Sequence, residues 1–88
     1  NIRTLMRRLG YAVHPDRRTG IDSYARRVGS LPFPRYHVYI ETKSGARVLR
    51  LHLDQKAPSY EGSRAHSGEY SGPLVEKEGE RIRKFLHG

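Results

Sequence analysis

Residues 35–54 read RYHVYIETKSGARVLRLHLD, and this stretch determines the fold. Apolar and polar residues alternate on both sides of Ser44-Gly45, a dipeptide that suits a two-residue turn between antiparallel strands. Such a turn pairs residues whose numbers sum to 89. The apolar residues then share one face: Tyr36, Val38, Ile40, Leu49, Leu51 and Leu53. A slip of one residue would oppose polar and apolar side chains, so the pattern predicts both a β-hairpin and its register.

The residues before the hairpin predict two short helices. Residues 2–9 have apolar side chains at the i, i+3, i+4 and i+7 spacing of an amphipathic helix. The same reasoning places a second helix at about residues 23–28, where Asp22 can cap the amino terminus. Residues 11–16 are expected to be extended, because the position before Pro15 disfavours helix, and residues 11–14 can add a third strand to the sheet.

The residues after the hairpin predict a long loop and a final helix. Residues 55–72 have no periodic pattern and are rich in Ser, Gly, Tyr and Pro. Pro73 suits the first turn of a helix whose acidic residues come early and whose basic residues come late, as the helix dipole favours. Its inward side is expected to pack on the hairpin through Val75, Gly79, Ile82, Phe85 and Leu86. The expectation is therefore one small α+β domain over residues 1–88. Two strands alone are marginal, so either the third strand or a homodimer would complete the sheet.

The charge of the chain is strongly positive, with 17 Lys and Arg against 9 Asp and Glu and a formal net charge of +8. Arginine supplies 13 of these cations, and residues 1–40 carry +6 of the net charge. Arginine forms forked contacts with phosphate, so the excess of positive charge predicts a polyanionic partner, and RNA or DNA is the first candidate. The alternative interpretation is a soluble surface that happens to be basic.

Several classes of protein are disfavoured by what the sequence lacks. It contains no cysteine, which excludes disulfides, thiolate zinc sites and cysteine nucleophiles. No predicted helix sets a large apolar face beside a basic one, so an anionic membrane is not an expected partner. No signal sequence or membrane-spanning run is visible, and the expected location is cytoplasmic.

The nucleic-acid hypothesis combines the arginines with an aromatic residue on the polar face of the hairpin. Basic grooves with stacking aromatic side chains bind single strands in many proteins. In this hypothesis the helices contact phosphates, while the hairpin face and the loop contact bases. The candidate residues are Arg3, Arg7, Arg8, Arg17, Arg18, Arg26, Arg27, Arg35, Tyr39 and Arg50.

A second hypothesis follows from the hairpin register, which puts His37 directly opposite His52 on the polar face. Two imidazoles with Asp54 nearby could hold one divalent metal ion or act as an acid/base pair. His66 and Glu69 in the loop could fold back to complete the site. The candidate catalytic residues of such a small hydrolase, foremost a nuclease, are His37, His52, His66, Asp54 and Glu69, and the candidate metal ligands are the three histidines. The structural alternative is two histidines on a solvated face, paired with Tyr39 or Asp54.

No established motif decides between these functions. The chain has no HExxH, no GxSxG and no phosphate-binding glycine loop. Three classes stay open: a nucleic-acid-binding domain, a small metal-dependent hydrolase, and a protein-interaction module whose loop docks on an acidic partner. Whether the protein is an enzyme is left undecided, and a divalent metal is the one cofactor that the residues suggest.

Overall fold

The computed structural model describes residues 1–55, 68–69 and 72–87. These residues form helix α1 (Ile2–Arg8), strands β1 (Ala12–Pro15), β2 (Asp22–Arg27), β3 (Arg35–Lys43), β4 (Ala46–Asp54) and β5 (Gly68–Glu69), and helix α2 (Pro73–His87). The strands make one antiparallel sheet in the order β1-β2-β3-β4-β5. The α+β class is therefore confirmed. Neither described helix combines the length and the apolar character needed to cross a membrane.

The predicted hairpin is confirmed in register as well as in existence. All nine pairs between β3 and β4 sum to 89, from Arg35 opposite Asp54 to Lys43 opposite Ala46. Both turn residues have positive φ, 50° at Ser44 and 82° at Gly45. This is the turn geometry that matches the twist of a two-residue hairpin, and glycine adopts it without a steric penalty.

The predicted second helix is wrong, because residues 22–27 form strand β2 instead. The helical spacing there covered only two turns, and so short a helix is marginal without tertiary packing. As a strand, the segment pairs on both sides, Ala25 facing Ala12 of β1 and His37 of β3. Two ladders of backbone hydrogen bonds thus outweigh a weak local preference.

The edges of the sheet differ from the expected three-strand arrangement. The strand expected near residues 11–14 is present as β1, but it pairs with β2 and not with the hairpin itself. On the other edge, the two residues of β5 lie within the segment expected to be a loop and pair with β4. Residues 56–67, 70 and 71 of that segment lie outside the described residues.

The two faces of the sheet have different roles. Both helices pack on the inner face, where the buried core consists of Met6, Leu9, Tyr11, Tyr24, Tyr36, Val38, Leu53, Val75 and Ile82. The packing of α2 on β4 is close, since a Cβ added at Gly79 would lie 3.9 Å from Leu51. The last turn of α2 departs from the expected apolar contact, because Phe85 and Leu86 are 44% and 43% exposed. The outer face carries the alternate residues of the strands, including His37 and His52.

A buried carboxylate joins α2 to the other elements of the inner face. Glu78 is 3% exposed and accepts hydrogen bonds from the Tyr11 hydroxyl at 2.6 Å and from Arg81 at 2.9 Å. Arg81 also donates to the carbonyl of Leu9 at 2.7 Å, and Arg26 of β2 completes the group at 3.3 Å. Burial raises the pKa of Glu78, but the hydrogen bonds from Arg81 and Tyr11 outweigh it and lower the pKa below its usual value.

Candidate metal centre

Two histidines of the outer face converge on one carboxylate at the end of the hairpin remote from its turn. His37 Nδ1 lies 2.8 Å from Asp54 Oδ2, and His52 Nε2 lies 2.7 Å from Asp54 Oδ1. Both histidines are buried, 5% and 6% exposed. The alternative of two histidines on a solvated face is therefore wrong with respect to their exposure, although the pairing with Asp54 that it named is present.

The strands position these side chains. His37 and His52 are opposite each other in the register, and Asp54 follows His52 by two residues, which returns its side chain to the same face. Arg35, opposite Asp54, donates from Nε to Asp54 Oδ2 at 3.0 Å. The cluster thus rests on two central strands, where hydrogen bonding on both sides limits its movement.

Asp54 is ionised in this arrangement. Burial raises the pKa of Asp54, but hydrogen bonds from His37, His52 and Arg35 outweigh it and hold the pKa well below its usual range. An ionised carboxylate only accepts hydrogen bonds. The nitrogens that face it, His37 Nδ1 and His52 Nε2, therefore carry protons when no cation is bound. A metal ion ligated by these nitrogens would displace both protons.

Strand β2 supplies a partner for the second nitrogen of His37. Ser23 Oγ lies 2.7 Å from His37 Nε2 and 3.1 Å from the carbonyl oxygen of His14, and Ser23 is 4% exposed. A hydroxyl has one proton, so Ser23 donates either to His37 or to His14. With a cation in place of the Nδ1 proton, Ser23 can donate to His14 and accept from His37 Nε2–H, and the Nδ1 lone pair of His37 then serves the cation.

Aromatic rings border the cluster on the outer face. The Tyr39 ring stacks on His37, with centroids 4.6 Å apart and an angle of 22° between the planes, and it lies 5.2 Å from the His52 ring. His14 meets His37 edge-on at 5.5 Å. These contacts fix the plane of the His37 ring. Tyr39 is itself 41% exposed, so the cluster borders the surface on that side.

The cluster fits a divalent metal ion in its donor atoms and its spacing. One ligand atom from each of His37, His52 and Asp54 lies within 4.8 Å of the other two. Zinc bonds of about 2.0 Å in a tetrahedron separate neighbouring ligand atoms by roughly 3.3 Å. The present N···O distances of 2.7 and 2.8 Å would therefore lengthen by about 0.5 Å to admit an ion. The charge of Arg35 opposes a cation here, while its hydrogen bond orients the carboxylate.

A serine nucleophile is not supported by the same geometry. Ser23, His37 and Asp54 are connected in the order of a nucleophile, a base and an orienting carboxylate. A nucleophile must donate its proton to the base, however, and the His14 carbonyl, 3.1 Å from Ser23 Oγ, competes with His37 for the one hydroxyl proton. The Ser23 hydroxyl is suited to setting the proton position on His37.

Two of the predicted site residues come from the long segment after β4. His66 lies outside the described residues, so its part in the site stays a prediction. Glu69 belongs to β5, where the register sets it opposite Leu53, and Gly68 is the residue opposite Asp54. The role of Glu69 as a carboxylate partner also stays a prediction.

The predicted nucleic-acid contacts fall into two groups. Four of the arginines form ion pairs within the protein: Arg3 with Asp22, Arg26 with Glu78, Arg35 with Asp54, and Arg50 with Glu41. Arg27 donates to the carbonyl of Ser30. In the described part of the chain, no ion pair involves the exposed Arg7, Arg8, Arg17 and Arg18. Since α1 packs on the inner face, the sheet separates its arginines from Tyr39 and Arg50.

Ser23 and the backbone of His14 are the site groups that sequence reasoning missed. Both depend on β2, which was expected to be a helix. Once residues 22–27 are aligned with β3 as a strand, Ala25 pairs with His37. Ser23, two residues before Ala25, then lies on the same face as His37. The alternation of Ser23, Tyr24 and Ala25 was the available signal. In comparisons with known proteins, no family model, curated protein or solved structure matches this chain.

Proposed function

We propose that this protein binds one divalent metal ion through His37, His52 and Asp54 and uses it for hydrolysis. The observation that carries the proposal is the convergence of two imidazole nitrogens and one carboxylate within 4.8 Å. Two histidines and a carboxylate are a donor set that zinc takes in catalytic sites, where three protein ligands leave one position for water. The burial of both histidines and their position on central strands favour a preformed site over a chance surface cluster.

The residues around the three ligands have roles that suit this function. Bound zinc lowers the pKa of a water ligand and so supplies a nucleophile near neutral pH. With the ion bound, Ser23 would accept a hydrogen bond from the remaining N–H of His37 and donate one to the His14 carbonyl, and ligating histidines normally make such an outer hydrogen bond. Tyr39 holds the His37 ring by stacking.

Calorimetric titration with zinc tests the site directly. We expect one ion per chain in the wild type, and loss of that binding in H52A and in D54N, since each removes one of three ligands. The matched control is H87A, because His87 is an exposed histidine at the end of α2, on the other side of the sheet. Folding of each variant is checked by its amide NMR spectrum.

Cobalt provides a second measurement that does not depend on catalysis. Co²⁺ in a site of this kind should give the visible absorption of a distorted tetrahedral complex, and H87A should keep it. Wild-type protein that takes up no stoichiometric zinc or cobalt would refute the proposed site. Equal metal affinity in folded D54N and wild type would refute the assignment of Asp54 as a ligand.

Nucleic-acid binding is a second candidate function, favoured by the exposed Arg7, Arg8, Arg17 and Arg18. Each phosphate contact contributes about 0.7–0.9 to the slope of log affinity against log salt. Replacing Arg7 and Arg8 by glutamine should therefore lower that slope by about 1.5 for a bound oligonucleotide. The control is R83Q, which removes an exposed arginine from α2. Absence of binding at low salt, or binding insensitive to salt, would contradict this function.

A further inference from the structure

We infer that the ligand of this metal centre is a phosphate ester, whose anionic oxygens are bound by Arg50. This inference rests on the proposed metal-dependent hydrolysis and names its class of substrate. It is carried by the arrangement of charges on the outer face next to His37, His52 and Asp54, and it does not depend on the arginines of α1.

On the outer face of β4, Arg50 is the residue next to the proposed metal ligand His52. It precedes His52 by two residues on β4 and is opposite Tyr39, which stacks on His37. Two residues of a strand span about 7 Å, a distance that an extended arginine side chain covers. A group bound at His52 is therefore within reach of the Arg50 guanidinium.

The present partner of Arg50 leaves it available for a ligand. Arg50 Nε lies 2.7 Å from Glu41 Oε2, but the two side chains are 50% and 40% exposed. An ion pair this exposed contributes little to stability. A phosphate can replace the carboxylate of Glu41, because the planar guanidinium makes the same forked contact with either group.

The surrounding charge favours an anion over a neutral ester. Arg35 lies opposite Asp54, and Arg27 lies opposite Arg35 on the next strand, so these two arginines and Arg50 make the outer face around the centre positive. The carboxylates on this face of the hairpin are Asp54 and Glu41. A bound divalent cation would add to the excess of positive charge and attract an anionic substrate.

The reaction assigned to such a substrate is hydrolysis of a phosphate ester bond. The oxygen of water forms a bond to phosphorus, and the bond from phosphorus to the ester oxygen breaks. One proton of the water leaves with the alcohol, and the other stays on the phosphate product. No oxidant, reductant or further reactant is needed.

Binding of phenyl phosphate to the zinc-loaded protein tests the inference. We expect wild type to bind it, and R50Q to bind it about tenfold more weakly with an unchanged zinc affinity, as the loss of one charge-assisted contact requires. The matched control is R83Q, since Arg83 forms a similarly exposed ion pair with Glu80 on α2, 66% and 50% exposed, on the other side of the sheet. Phenyl acetate, a neutral ester, serves as the comparison ligand.

The outcomes separate the substrate class from the metal site. Zinc binding with a selective loss of phenyl phosphate affinity in R50Q supports both proposals. Zinc binding with no phenyl phosphate binding, or with equal losses in R50Q and R83Q, overturns the substrate class and leaves the metal site standing. Hydrolysis of phenyl acetate that is not inhibited by phenyl phosphate also overturns it. Failure to bind zinc overturns both.

Discussion

At the scale of single residues, Ser23 connects the metal ligands to the backbone of a neighbouring strand. Its hydroxyl lies between His37 Nε2 at 2.7 Å and the His14 carbonyl at 3.1 Å. Without a metal, the hydroxyl can donate to His37, whose Nδ1 proton is bonded to Asp54. With a metal on Nδ1, the direction of these hydrogen bonds reverses, and Ser23 accepts the hydrogen bond from His37 Nε2–H. One buried hydroxyl thus satisfies both states.

We therefore expect S23A to weaken zinc binding by about 10- to 100-fold, the usual effect of removing an outer partner of a ligating histidine. The variant should also lose about 1–3 kcal/mol of stability, because His37 Nε2 is left without its hydrogen bond. S23T retains the hydroxyl and should recover most of the affinity. Zinc affinity is measured by calorimetry, and the proton position on His37 by nitrogen chemical shifts. Unchanged affinity in S23A would show that Ser23 is only structural.

At the scale of strands and helices, the local pattern was sufficient where a two-residue turn joins two strands that both alternate clearly. The alternation around Ser44-Gly45 determined the β3–β4 register, and with it the facing of His37 and His52. It did not determine what covers the free edge of β3. That edge is filled by β2, whose sequence has only a short helix-like spacing and whose strand form depends on partners at both sides.

The missing part of the candidate site has the same cause. Asp54 and Arg35 belong to the hairpin, so their proximity to the histidines followed from one register. Ser23 comes from β2, and its contact with His37 required knowing that β2 pairs with β3. The burial of Glu78 was also not apparent from α2 alone, because its partner Tyr11 is 67 residues away in the chain. For Ser23 the limit was the weak strand pattern of β2, and for Glu78 it was a contact between residues far apart in sequence.

At the scale of the whole molecule, the inner face depends on the charged group around Glu78, while the outer face carries the candidate centre. Glu78 connects α2 to Tyr11, just before β1, and to Arg26 in β2. Removing one member of a buried, hydrogen-bonded group leaves its partners unsatisfied. The stability of the fold can therefore be perturbed at Glu78 without touching the metal ligands.

The pH dependence of this group has a definite sign. Because the pKa of Glu78 is lower in the folded state than its usual value of 4.5, its ionised form stabilises the fold fully only above that pH. That contribution is lost as the pH falls through the lower, folded-state pKa. We expect E78Q to be less stable than wild type by about 2 kcal/mol at pH 7, since its amide turns a donor toward Arg81.

The difference in the free energy of unfolding between E78Q and wild type should be smaller at pH 3 than at pH 7. Chemical denaturation at the two pH values measures it. The matched control is E80Q, because Glu80 is 50% exposed and its pair with Arg83 should contribute less than about 0.5 kcal/mol. Titration of Asp54 affects all three proteins alike and cancels in the comparison. A gap between E78Q and wild type that is the same at both pH values would mean that Glu78 stabilises the fold by packing alone, and the charged group would not be what connects α2 to the sheet.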